Sequence, residues 1–203
     1  MIKPLLLATL MIVPQTLAAQ VNLPALFNVT GVVAGDVLNI RTRPSASSPI
    51  IGAFPRNARG IEVVALSDDG RWGQINSDEG TGYVALRFLD LQAGPSWTSM
   101  QVPLSCFGTE PFWSFTAIDG DAVLDVMDSG PVDMAITDVI PAAGRSDVVG
   151  VQLSTQSSTG FASLHATQCS DGMSDRAFGI SIDLFVLHAE GATGYSGCCS
   201  LQP

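Results

Sequence analysis

Lysine occurs once in these 203 residues, at Lys3, and histidine only twice, at His165 and His188. The chain has no Gly-x-Ser-x-Gly elbow, no His-Glu-x-x-His helix and no phosphate-binding glycine loop. The motif-borne signals for an α/β hydrolase, a zinc protease or a nucleotide-dependent enzyme are therefore missing. Cysteine is absent before Cys106. Beyond the first residues no stretch is long and apolar enough to span a membrane as a helix. Cationic residues are scarce against 19 acidic ones, and the formal net charge is -10.

That charge is unevenly spread. From Gln20 to Gln92, six arginines stand against seven acidic residues. From Ala93 to Pro203, two arginines (Arg145 and Arg176) stand against twelve. An acidic second half repels polyphosphate and anionic lipid, which excludes nucleic acid as a partner. It suits a basic protein partner, or it simply keeps the chain soluble.

The N-terminus has the pattern of a cleaved secretory signal. Lys3 supplies the charged start, Leu5 to Val13 an apolar run too short to span a bilayer, Pro14 a break, and Thr16-Leu17-Ala18-Ala19 the small residues of a cleavage site. Cleavage is expected after Ala18 or Ala19, giving a signal peptide over 1–19. No cysteine stands there to carry a lipid. The expectation is a periplasmic or secreted chain without an integral membrane segment.

Residues 26–91 read as short strands between turns. Val37 to Arg41 alternates, Ile61 to Leu66 is β-branched and apolar, Trp72 to Ile75 alternates again, and Ser67-Asp68-Asp69-Gly70 is a turn. Short strands without helical periodicity predict a small all-β barrel. The pieces Leu38-Asn39-Ile40-Arg41-Thr42-Arg43-Pro44, Ile51-Gly52, Gly70-Arg71-Trp72 and Gly82-Tyr83-Val84 resemble the bacterial SH3-type module. The resemblance implies an SH3-like barrel that binds envelope material: a peptidoglycan peptide or an envelope protein. It points to Asn39, Arg41, Arg43, Trp72 and Tyr83 as ligand-binding positions. Guanidinium groups suit carboxylates through paired hydrogen bonds, and Trp and Tyr offer apolar area with a polar handle. The alternative is structural. Trp72 and Tyr83 fill the core, and Arg41 pairs with Asp36 or Glu62.

Residues 92–103, with Gly94-Pro95-Ser96, are expected to be a linker, and 104–203 a second, acidic, cysteine-containing β domain. Strands are predicted over 112–118, 122–127, 132–140, 148–154, 161–166 and 178–187, with a hairpin turn at Asp119-Gly120-Asp121. Their pattern fits an antiparallel barrel or sandwich. Cys106, Cys169, Cys198 and Cys199 are expected to form disulfides in an oxidising compartment. A vicinal Cys198–Cys199 bridge is strained. The two remaining pairings both tie the C-terminus to Cys106 and to Cys169, and spacing does not choose between them. The spacing is not that of structural zinc, and Asp171 with Asp175 lacks the ligand density of a calcium loop, so no metal and no cofactor are expected.

Three strings mark this half: Cys106-Phe107-Gly108-Thr109-Glu110-Pro111-Phe112-Trp113, Cys169-Ser170-Asp171-Gly172-Met173-Ser174-Asp175-Arg176, and Gly197-Cys198-Cys199. They resemble a family of uncharacterised exported bacterial proteins, which implies a small β-rich domain and no stated activity. If the disulfides gather the strings, Glu110, Asp171, Asp175 and Arg176 converge beside Trp113 as a ligand pocket, or else as a polar network closing the barrel end. The reading is an exported, non-catalytic binding protein whose second domain is a binding or inhibitor-like module, with a basic wall hydrolase as a possible partner. Two competitors are a wall hydrolase using Glu110 and His165 as acid and base, and a structural factor that assembles an envelope protein.

Overall fold

The computed structural model describes residues 22–202, so the expected signal peptide lies outside the described residues. The fold is all-β, and it builds two hydrophobic clusters.

The N-terminal part holds β1 (Ala25–Val29), β2 (Val37–Arg41), β3 (Ile50–Pro55), β4 (Ile61–Val63), β5 (Ala65–Leu66), β6 (Trp72–Ser77), β7 (Gly80–Ala85) and β8 (Leu89–Leu91). A short 3-10 turn, Leu86–Phe88, links the last two. One sheet runs β3-β2-β7-β6-β5 and the other β4-β1-β8. Alternating residues Leu38 and Ile40, Ile61 and Val63, with Ile75 and Val84, face the space between the sheets. Gly82 is required by close approach: a Cβ there would collide with Ile40 of the neighbouring strand.

The C-terminal part holds β9 (Leu104–Thr109), β10 (Phe112–Ile118), β11 (Asp121–Val126), β12 (Gly130–Pro141), β13 (Val148–Ser154), β14 (Thr159–Cys169), β15 (Phe178–His188) and β16 (Gly191–Leu201). Each strand pairs antiparallel with the next, and β16 returns to pair with β9, closing an eight-stranded barrel. Of the two architectures expected, the closed barrel is the one formed. Its interior is filled by side chains, with Phe115, Val149, Val151, Leu164, Ile180, Ile182 and Leu184 fully buried. A closed meander leaves no sheet edge unpaired.

Segment 92–103 is packed as well as connecting. Ser96 opens a 3-10 turn, Trp97–Ser99, and Met100 ends it in the left-handed conformation at φ 58°. Trp97 and Met100 are 3% and 2% exposed and belong to the barrel's cluster.

Strand β1 serves both cores. Phe27 and Val29 face the SH3-like interior, whereas Leu26, on the opposite face, joins the barrel cluster. Leu26 lies directly across from Glu62 of β4, so the outer face of this sheet meets the barrel. There Glu62 Oε1 accepts a 2.9 Å hydrogen bond from the Leu201 amide. Pro24 packs flat on Gly179 of β15. Asn76 completes the junction: its Oδ1 accepts from the Ala177 amide and its Nδ2 donates to the Ala177 carbonyl, both at 2.9 Å. Burying a leucine-sized side chain contributes about 1.5–3 kcal/mol, so Leu26 alone makes this contact more than a tether.

Glu62 makes the junction sensitive to pH. Burial pushes its carboxyl up to about 7 from 4.5, against the opposing effects of the Leu201 amide and the charge of Arg176. The native state therefore holds this proton to higher pH than the unfolded chain does. Its contribution favours folding below about pH 4.5 and is lost as pH rises to about 7. At about 1.4 kcal/mol per unit, that loss is about 3 kcal/mol. Glu62→Gln keeps an acceptor for Leu201 and cannot ionise. The variant is expected to match the wild type near pH 4.5 and to exceed it at pH 8, as read by urea unfolding at both values. Equal stability at pH 8 would mean that Glu62 is not the group that titrates the junction.

Candidate functional site

Two surfaces collect the chemistry. The first is a pocket of about 220 Å³ on the SH3-like domain. Asn39 and Arg41 of β2 and Trp72 of β6 line it, together with Asp36, Arg87 and Phe88. Arg41 pairs with neither Asp36 nor Glu62. Its Nη1 donates to the Ser48 carbonyl at 2.7 Å. Ser48 is 4% exposed and organises the loop: its hydroxyl donates to the carbonyls of Arg43 and Ser45, and the Arg43 amide donates back to it. Arg41 is thus anchored on a loop that is itself closed around a buried hydroxyl. The Arg87 guanidinium lies 4.6 Å from the centre of the Phe88 ring, a cation–π arrangement that pre-orients a long side chain.

Two guanidinium groups and one carboxylate, Asp36, give this pocket a positive balance in a chain of net charge -10. Such a pocket suits an anionic group, above all a carboxylate. Trp72 is buried at 8% exposure, and it forms wall rather than platform. Tyr83 sits across from Arg41 in the sheet but does not line the pocket, and exposed Arg43 lies outside it as well. Arg87 and Phe88 were not foreseen, and Asp36 was expected only as a structural partner of Arg41. Arg87 stands three residues after the Gly-Tyr-Val piece, and only its sign could have drawn attention to it.

The second surface is a groove of about 560 Å³ on the outer side of β9, β10 and β11. It brings together Trp113 and Asp171 among the predicted residues, but not the whole expected cluster. Glu110 is exposed in the β9–β10 turn and does not line the groove. Asp175 is exposed, and its amide donates to the Glu79 carbonyl at 3.1 Å. Arg176 pairs with none of these carboxylates, and its charge acts on Glu62 instead. Among the described residues the ion pairs are Arg71–Asp69 and Arg145–Asp147, both exposed. Asp171 shapes its own loop by accepting from the Met173 amide at 3.0 Å, the Ser174 amide at 2.9 Å and the Ser174 hydroxyl at 2.8 Å. Burial raises its pKa, but these bonds outweigh it and hold the carboxyl below its ordinary value.

Trp113 is 4% exposed. Its indole lies over the backbone of Gly108, and its Cζ2 stands 2.9 Å from where a Gly197 Cβ would be. Tyr195 flanks it at 5.6 Å between ring centres. The disulfides are Cys106–Cys199 and Cys169–Cys198. Cys106 and Cys199 are register partners across the β9–β16 seam. Cys198, through Cys169, ties down the start of the loop that contains Asp171.

The acid–base pair imagined for a hydrolase is not assembled. Glu110 precedes β10, His165 lies on β14, and these strands stand on opposite sides of the barrel order. His165 Nε2 is instead 2.8 Å from the Ser163 hydroxyl. A third cavity of about 410 Å³ sits at the domain junction. Pro24, Leu26, Trp97 and Leu201 line it, and none of its lining residues is charged.

Residues 36–90 match the family described as Bacterial SH3 domain. The match spans β2 to β8 and stops short of β1, the strand that carries the barrel-facing Leu26. No curated protein and no solved structure matches the chain.

Gly197 gives this architecture a direct test. Its Cβ would meet the Phe107 carbonyl across the seam as well as Trp113. Gly197→Ala is expected to lower stability by about 1–3 kcal/mol or more and to alter the Trp fluorescence, both read in one denaturation series. Unchanged stability and emission would mean that Trp113 does not lie over the seam.

Proposed function

We propose that this is an exported envelope-binding protein whose SH3-like domain takes a carboxylate-bearing cell-wall peptide, or a wall-associated protein displaying one. The observation that carries the reading is the pocket of Arg41, Arg87 and Asn39, positive in an otherwise acidic chain. The family match supports it, since bacterial SH3 domains are typical cell-wall binding modules. Two formed disulfides are consistent with a location outside the cytoplasm. The barrel domain is a second, non-catalytic binding module. Its strings resemble those of other exported proteins, and its outer groove offers a contact surface.

Mechanistically, the incoming carboxylate meets donors already held in place. Arg41 is fixed through Ser48 and Arg87 over Phe88, so little side-chain entropy is lost on binding. Asn39 adds a neutral donor and acceptor, which suits a peptide amide.

Co-sedimentation of the mature chain with purified peptidoglycan sacculi, at low and moderate salt, tests this reading. Wild type is expected in the pellet, more so at low salt. Arg87→Ala and Arg41→Lys are each expected to weaken binding about tenfold, since truncating a charged contact costs upward of about 1.4 kcal/mol. Arg43→Ala, outside the pocket, is expected to change it little. Absence of wild-type binding at both salts would remove the wall as ligand.

A further inference from the structure

We propose that the groove on β9–β11 docks a basic, apolar segment of a protein partner, clamped between the barrel wall and the β6–β7 turn of the SH3-like domain. This deepens, and rests on, the reading of the barrel as a second binding module.

Three exposed apolar side chains from separate parts of the chain converge there. Phe112 opens β10, Met127 follows β11, and Met173 lies in the loop between β14 and β15. They are 47%, 58% and 70% exposed. Backbone hydrogen bonds join their carriers into one surface. The Met127 amide donates to the Phe112 carbonyl at 3.0 Å, setting those two residues side by side. The Asp175 amide donates to the Glu79 carbonyl, tying the Met173 loop to the SH3-like turn. Asp171, gathering the Met173 and Ser174 amides, fixes the loop in shape. The Cys169–Cys198 bridge holds its base against β16. The apolar elements are thus pre-arranged, and preorganisation lowers the entropy lost on binding.

The charge around them has one sign. Glu79, Asp125 and Asp171 line the groove and no cation does. An apolar occupant alone would desolvate Glu79 and Asp125 without a partner, which is costly. A segment carrying Lys or Arg among large apolar residues satisfies both demands. Two methionines among the three apolar contacts give a surface that adapts to side chains of varied shape. Nucleic acid and anionic lipid have the wrong sign. The barrel of a second copy is a poor counterpart, because it carries only Arg145 and Arg176, and Arg145 is held by Asp147.

The test is fluorescence anisotropy of the mature chain with a labelled peptide of alternating Leu and Lys, beside a counterpart with Glu in place of Lys. The Lys peptide is expected to bind at least tenfold more tightly at low salt, and to lose much of that advantage as salt shortens the screening length to a few ångströms. Replacing Phe112, Met127 and Met173 together by Ser is expected to weaken it about tenfold or more. Glu79→Gln with Asp125→Asn should weaken it and flatten the salt dependence. Asp121→Asn with Asp138→Asn, which lie outside the groove, should leave it unchanged. All the positions altered are exposed, and thermal unfolding confirms that the variants fold. Equal binding of both peptides, or equal weakening by the two neutralised pairs, would overturn the proposal, as would self-association abolished by the Ser variant. Capture of one envelope protein by crosslinking, equally by wild type and the Ser variant, would also overturn the groove while leaving the barrel a binding module elsewhere. Sacculus binding by the SH3-like pocket is scored separately and does not depend on these residues.

Discussion

Closure of the barrel between β9 and β16 is the constraint from which the rest of the structure follows. These strands each carry only two large apolar residues, Leu104 and Phe107 on β9 and Tyr195 and Leu201 on β16, and they meet along Leu104–Leu201, Cys106–Cys199 and Phe107–Cys198. Neighbouring residues of a strand point to opposite faces. Cys199 therefore turns inward to Cys106, inside the core, while Cys198 turns outward to Cys169. Adjacent cysteines thus do two jobs. One locks the seam, closing a loop of 93 residues, and the other staples the following loop to the outside of the wall over 29. By the chain-entropy account these contribute about 4–5 and about 3–4 kcal/mol. The glycines of the seam complete the design: Gly108 and Gly197 leave the space that Trp113 occupies.

The same closure fixes how the domains sit. Leu201, the last residue of β16, offers its amide to Glu62, and Leu26 enters the barrel's cluster beside it. Trp97 and Met100 pack into that cluster before the first barrel strand begins. The strand that makes the SH3-like domain dock, β1, lies outside the segment that matches the family. The docking face therefore draws Leu26 from outside the matched segment and Glu62 and Asn76 from within it. It also brings a turn of the first domain, at Glu79, to the edge of the groove on the second.

Much of the fold was legible in the sequence. Strands β10 and β13 coincide with the predicted spans, because Phe112–Ile118 and Val148–Ser154 alternate apolar and polar residues over most of their length. β9 and β16 were not foreseen. Leu-Ser-Cys-Phe-Gly-Thr and Gly-Ala-Thr-Gly-Tyr-Ser-Gly-Cys-Cys-Ser-Leu present small residues where a pattern search expects large ones, and the missing volume is supplied from β10 by Trp113. The cysteine pairing was open for the same reason, since the register that decides it belongs to unforeseen strands. Of the first site, Asn39, Arg41 and Trp72 do share a pocket, whereas Arg43 lies in the loop beyond the end of β2 and Tyr83, the register partner of Arg41, does not line it. Arg87 escaped notice because it enters from a 3-10 turn that no pattern announced. In the second half, disulfides gathering the three strings were expected to bring Glu110, Asp171, Asp175 and Arg176 together. The loop instead spends Asp171 on its own amides and sends the field of Arg176 to Glu62.

The two surfaces differ in sign and in build, and this suits them to different kinds of ligand. The SH3-like pocket is small, holds two guanidinium groups and is anchored by buried polar contacts, as recognition of a compact anionic group requires. The groove is larger, open, apolar at its centre and acidic around it, as recognition of a protein segment requires. Arginine is concentrated in the first half and carboxylate in the second, while lysine is absent from the chain after Lys3. Arg offers a fixed planar donor geometry, whereas Lys offers a mobile point charge. A chain built this way attracts anions only where an arginine has been placed, and repels them across the remainder of its surface. Its two domains are packed together, so the proposed anion at one surface and the proposed cationic segment at the other would be held in a fixed mutual position. The junction of Leu26, Glu62 and Asn76 is what would convert two separate affinities into one arrangement.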